Sequence, residues 1–195
     1  MSGIMDNLKN FLREGDIKRA QDLIRRIRTI LQKDNTPFTI YGLDICGAKV
    51  ADIDLRGITF KSCKFCAVDL YSANLEDAQF VECSLTAVTL ERAVATKVTF
   101  KHCVLEAVLL RDAHMSECVI EDSQLIGCNM DNTDISYTRI ERSGFNATDM
   151  DRANLTRCLF TDVGLQAVNQ ANIRSEGLRF SNTSFNAVNN TRDKE

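Results

Sequence analysis

The chain has 195 residues, with 24 basic and 27 acidic side chains and a hydrophobic content of 44%. That is room for one solenoid and a cap, with charge close to balance at −3. No stretch approaches the length of a membrane span, and Met1 to Leu12 lacks the apolar run of a signal peptide. A cytoplasmic protein is therefore expected, export by another route aside.

In chain order, residues 1–36 come first and follow helical spacing. Ile4, Leu8, Phe11 and Leu12 share one face. After Gly15 and Asp16 the spacing continues through Ile17, Ala20, Leu23, Ile24, Ile27, Ile30 and Leu31. Gly15 suits a helix end, Asp16 a following N-cap, and Asn35, Thr36 and Pro37 a stop. Two helices joined by a tight turn are expected. This segment carries eight basic and five acidic residues, against sixteen and twenty-two in the remainder. Arg19, Arg25, Arg26, Arg28 and Lys33 form a basic face with two readings. One is a helix for a membrane surface or a nucleic acid. The other is the solvated side of a cap over the first rung of a solenoid, whose apolar side chains and backbone groups would otherwise lie open. The opposite charges of the two parts favour the cap, and dimer formation through the same helices goes with it.

From residue 37 to 189 the period changes to five. Every fifth residue from Ile40 to Leu165 is apolar, through 26 positions that include Phe60, Phe65, Phe80, Leu85, Phe100, Leu105, Leu125 and Phe160. Five fits neither the 3.6 of a helix nor the 2 of a strand. From Val50 onward the second residue before each is small or β-branched, as at Cys63, Val68, Ala73 and Cys118. One large and one small inward side chain per five residues describes a chain that turns a corner after each short side. Four sides close a square coil of twenty residues, and coils stack at about 4.8 Å. Such a fixed period marks a solenoid, in which each unit hides its apolar side only against its neighbours. Phe60, Phe80, Phe100, Phe160 and Phe180 fall on one side, interrupted by Ile120 and Ile140. Gln170 and Ser175 break the apolar series, so a bulge or short loop is expected near 169–177, then one last coil. Residues 190–195 read as a polar tail.

The triplets Leu43-Asp44-Ile45, Ile53-Asp54-Leu55, Val68-Asp69-Leu70, Ala73-Asn74-Leu75, Thr133-Asp134-Ile135, Thr148-Asp149-Met150 and Ala153-Asn154-Leu155 give this region a more specific character. In them the chain resembles the pentapeptide-repeat family over residues 37–189. The resemblance implies an all-β solenoid, a right-handed quadrilateral β-helix of about seven to eight coils, here with an N-terminal α-helical cap. The glycine that the family pattern favours at the end of each repeat is present in few repeats, Gly47, Gly57 and Gly127 among them.

Two further patterns depend on the coil. Six of eight cysteines (Cys63, Cys83, Cys103, Cys118, Cys128 and Cys158) take the inward small position, where a thiol packs as a compact hydrophobe. Cys46 and Cys66 face outward. No metal site is expected, because a packed coil leaves no room for converging ligands. At twenty-residue spacing, Gly47, Ala67, Ala87, Ala107, Gly127, Ala147, Ala167 and Ala187 form a column of small residues at one corner. Turn geometry is one reading of it, and a smooth stripe for a partner is the other.

No catalytic set is apparent. His102 and His114 are the only histidines, and no motif places a nucleophile beside either. Uninterrupted five-residue steps leave no room for the inserted loops from which β-helix enzymes build clefts. No enzyme and no cofactor are expected. A rigid rod about 36 Å long suits protein binding, since a preorganised surface loses little entropy on association. The first expectation is a non-enzymatic interaction module or scaffold whose partner is another protein; the resemblance adds a bacterial effector or adaptor. An alternative implied by the resemblance is a DNA mimic that binds gyrase, of the quinolone-resistance type. Interrupted acidity and the lack of a C-terminal helix count against it. Membrane-surface binding through the basic helices is the third reading. Nucleic acid and membrane are not the expected partners.

Overall fold

The computed structural model describes residues 2–33 and 36–189. Asn35, part of the expected helix stop, and the tail 190–195 lie outside them.

Two helices open the chain, α1 (Ser2–Glu14) and α2 (Ile17–Lys33). Gly15, at φ 70°, lets the backbone reverse between them. Asp16 then caps α2, its Oδ1 accepting from the Arg19 N–H at 3.0 Å. Leu8, Leu12, Ala20, Ile24, Ile27 and Leu31 are buried in the same core as Phe38, Ile40 and Ile53 of the first coil. The helices thus cover the open end of the solenoid. Ile30 departs from the helical expectation. It is 41% exposed, because Ile27 and Leu31 define the buried stripe and Ile30 stands on its flank.

Each coil that follows contributes two strands of three residues. The first are β1 (Thr39–Tyr41), β2 (Asp44–Cys46), β3 (Thr59–Lys61), β4 (Lys64–Cys66), β5 (Gln79–Val81) and β6 (Ser84–Thr86). Next come β7 (Thr99–Lys101), β8 (Val104–Glu106), β9 (Val119–Glu121), β10 (Gln124–Ile126), β11 (Arg139–Glu141) and β12 (Gly144–Asn146). The last are β13 (Leu159–Thr161), β14 (Gly164–Gln166), β15 (Arg179–Ser181) and β16 (Ser184–Asn186). Odd strands form one eight-stranded parallel sheet and even strands another. The two remaining sides are ladders of single parallel bridges, one running Lys49–Asp69–Thr89 and onward, the other Asp54–Asn74–Val94 and onward. The result is a four-sided parallel β-solenoid of about seven coils.

Register is in steps of twenty throughout, as in Phe60 beside Phe80 and Phe80 beside Phe100. Every central residue from Ile40 to Leu165 is buried, Phe65, Leu85, Leu105 and Leu125 among them. The Phe60, Phe80 and Phe100 rings stack at 5.1 Å, within 19° of parallel, and Phe65 meets Phe60 edge-on at 5.4 Å. Phe180 is an exception, 40% exposed because no described coil lies beyond it.

The corners explain the sequence motif. Asp69, Asn74, Asn129, Asp134, Asp149, Asn154 and Asn169 each accept, through Oδ1, the N–H two residues ahead, at 2.9–3.1 Å. These Asx turns start the bend. The bend is completed by residues at φ near 50–60°, most of which are not glycine. Left-handed backbone costs an L-residue about 1–2 kcal/mol. Stacking offsets this, since such corners up to Ala167 also donate their N–H to the next coil, as Ala67 does to Thr86 O at 2.9 Å.

The expected bulge near 169–177 is absent. Bridges continue from Asp149 to Asn169 and from Asn154 to Arg174, and the Leu155 N–H still reaches Arg174 O at 2.7 Å. Backbone pairing holds the register while Gln170 occupies an apolar slot. Gln170 is buried, with Nε2 unpartnered among the described residues.

Candidate interaction surface

The four sides differ in charge. On the odd-strand sheet and its corner, acidic and basic groups are tied together. Arg142 pairs with Asp122 through Nε at 2.8 Å, and also with Glu121 and Glu141. Lys101 meets Glu121 at 3.2 Å, and His102 Nδ1 lies 3.9 Å from Asp122. On the bridge ladder through Asn129 and Asp149, Arg152 meets Asp131 at 2.9 Å and Asp151 at 3.5 Å. The Arg142 guanidinium, through its hydrogen bonds, holds the Asp122 carboxyl below the usual range, and Lys101 does the same for Glu121.

The even-strand sheet is different. From β6 to β16 its outward side chains are Ser84, Thr86, Val104, Glu106, Gln124, Ile126, Asn146, Gln166, Ser184 and Asn186, with Gly144 and Gly164 between. Glu106 is the one charge among them. Val104 and Ile126 are 41% and 38% exposed. Gly144 and Gly164 leave a shallow groove floored by backbone and edged by Gln124, Asn146, Gln166 and Ser184.

The Gly/Ala column runs along one edge of this sheet. Ala67, Ala87, Ala107, Gly127, Ala147 and Ala167 are all exposed and all at φ 50–61°. Left-handed φ does not by itself demand small residues, since Lys97, His102, Tyr137 and Arg142 adopt it at other corners. Nor is space short: a Cβ on Gly127 would meet nothing within 4 Å.

The basic helix face is largely engaged. Arg19 pairs with Asp16 and Arg25 with Asp22, both within α2. Arg28 turns to the coil and meets Asp54. Arg26 and Lys33 make no ion pair among the described residues. Sequence reasoning missed how the cap is fastened. Gln21 brackets the backbone of Asp54, accepting its N–H at 2.8 Å and donating to its carbonyl at 3.1 Å. Arg13 Nε donates to Asp44 O at 2.8 Å. These contacts partner the open backbone edge of the first coil. Periodicity carries no signal for them.

The inward cysteines do more than fill space. Cys83 Sγ donates to Phe60 O, and Cys103 Sγ to Phe80 O, each at 3.3 Å. Ser123, Ser143, Thr133 and Thr138 make the same bond with hydroxyls. Burial pushes the Cys118 and Cys158 thiols up to about 12, which makes them inert. Among the described residues no cluster of three metal-ligating side chains forms, and no helix is long and apolar enough to cross a membrane.

Family models agree with this geometry. One for pentapeptide repeats, in eight copies, matches residues 51–86 and 73–112, and one for a pentapeptide repeat region matches 96–174. The chain belongs to the pentapeptide-repeat family. Proteins of this family are generally structural or interaction modules. No curated protein sequence matches the chain. Similar solved structures include a trypsin-treated form of QnrB1, a plasmid-mediated fluoroquinolone resistance protein. It is 17% identical, with 80% of this chain and 83% of that one covered and a TM-score of 0.47. The pentapeptide repeat protein Rfr23 from the cyanobacterium Cyanothece 51142 is 18% identical over 63% of this chain and 97% of its own, at 0.45. HetL, a pentapeptide repeat protein involved in heterocyst differentiation regulation in the cyanobacterium Nostoc, is 13% identical over 86% and 93%, at 0.36.

Proposed function

We propose that this pentapeptide-repeat chain is a non-enzymatic protein–protein interaction module, an adaptor or effector that presents its even-strand sheet to another protein. The observation that supports this is the contrast between sides. On the other sides charges recur, several of them paired, as at Arg142 and Arg152, whereas β6 to β16 offer one charge, a column of exposed small residues and the apolar side chains of Val104 and Ile126. Depletion of charge is the compositional mark of interface cores. A β-solenoid holds such a surface rigid, so little ordering entropy is lost on binding.

Other readings draw less support. A DNA mimic wants a continuous acidic face, yet Arg139, Arg142 and Arg152 neutralise the carboxylates beside them. Membrane docking wants free cations, and Arg19, Arg25 and Arg28 are already paired.

The test is affinity capture with the full chain, an Ala107→Gln/Ile126→Lys variant, and an Arg152→Ala variant, each checked for its melting curve. A partner retained by wild type and Arg152→Ala but lost with the sheet variant supports the proposal. A partner indifferent to the sheet variant and lost with Arg26→Glu/Lys33→Glu moves the site to the helices. Sedimentation of the same samples reads a homodimer directly.

A further inference from the structure

Two of the eight cysteines are neither buried nor solitary. Cys46 on β2 and Cys66 on β4 are direct partners in the parallel register and point outward from the even-strand sheet. Cys46 is exposed and Cys66 half-buried. The neighbouring Cys66 side chain is the main reason the Cys46 thiol is held above its ordinary value. Asp44 Oδ1 stands 3.9 Å from Cys46 Sγ. Paired parallel strands bring Cα atoms to about 4.8 Å, inside the roughly 4.4–6.8 Å that a disulfide spans but short of its preferred separation.

We infer that Cys46 and Cys66 form a solvent-facing dithiol that closes reversibly into a disulfide across the first two coils, with a low-molecular-weight disulfide such as oxidised glutathione as oxidant. The exchange balances in two steps. Cys46, its thiol held high but exposed to solvent where the core thiols are not, loses its proton as pH rises, and its thiolate attacks one sulfur of the small disulfide. This forms a mixed disulfide and releases one small thiolate. The Cys66 thiolate then attacks Cys46 Sγ, forming the protein disulfide and releasing the second. Two protein thiols are oxidised and one small disulfide is reduced to two thiols. Exposed disulfides in imperfect geometry have the higher potentials of labile, regulatory bonds. The six buried thiols are shielded by the core and take no part. Closure fixes the first coil, which carries the Arg13 contact from α1 to Asp44, covalently to the second.

The test uses the full reduced chain, Cys46→Ser and Cys66→Ser, each treated with oxidised glutathione under native conditions and read by intact mass and peptide mapping. The expected wild-type product is lighter by two hydrogen atoms, with a 46–66 cross-link that excess reduced glutathione reopens. In Cys66→Ser a single glutathione adduct on Cys46 accumulates, because no thiol resolves it. A stable glutathione adduct on the wild type, a disulfide-linked dimer, or unchanged thiols would each overturn the inference.

Discussion

Arg28 of α2 grips Asp54 of the first coil with both terminal nitrogens, at 3.1 and 3.3 Å, and sends a further bond to Arg56 O at 2.7 Å. Both side chains are about three-quarters buried. Replacing Arg28 by Ala should loosen the cap by about 1 kcal/mol, the upper end for a partly exposed pair. Faster amide exchange in α2, with unchanged exchange in β7 to β12, is the expected reading.

Asp54 also gives the cap a pH profile. Arg56, first, and then Arg28 hold its carboxyl far below the ordinary carboxylate range, against a burial effect that raises it. A depressed carboxylate contributes stability that is present above its unfolded value near 3.9 and is lost as pH falls through the folded value. Overall stability should therefore be flat from pH 7 to about 4 and weaken below. Cap docking follows only through the Arg28 contact, since Arg56 stays beside Asp54 when α2 lifts away. In Asp54→Asn the weakening at low pH should be smaller, from a lower starting stability, in acid titrations followed by amide exchange.

The phenylalanine stack sets a gradient along the rod. Phe80, buried between Phe60 and Phe100, should cost about 3–5 kcal/mol when cut to Ala, in chemical denaturation. Phe180→Ala, at the exposed end, should cost less than half as much. Phe100→Asp should not fold, because a buried unpaired charge costs several kcal/mol.

Gln170 is a defect that can be repaired. Its buried Nε2, without a partner among the described residues, sits where the pattern asks for an apolar residue. Gln170→Leu should raise stability by about 1–3 kcal/mol, the desolvation cost of an unsatisfied polar group. A fall in melting temperature would overturn this reading.

The same residue shows where sequence reasoning reached its limit. The coil was legible because twenty-six apolar positions in step leave one architecture that buries them all. At Gln170 and Ser175 that pattern lapsed and suggested a loop, but the backbone ladder, fixed by coils on either side, overrode two side chains. Ile30 misled similarly, since helical spacing could not tell the centre of a buried stripe from its margin. The Gly/Ala column could be read from the period. The low charge of the adjoining sheet emerges only once alternate outward residues are assigned to a common side. Gln21 and Arg28 left no trace in any period, because they bind backbone edges and a single carboxylate across 26 to 33 residues.

Steps of twenty in register have a kinetic consequence. Strand partners along this rod are separated by about one tenth of the chain, a relative contact order usual for helical bundles and well below that of other β-proteins. Each new coil closes the same short loop onto a finished template, and the docked helices supply the first template. Assembly should therefore run as a zipper from the capped end, with loop-closure entropy that does not grow as the rod lengthens.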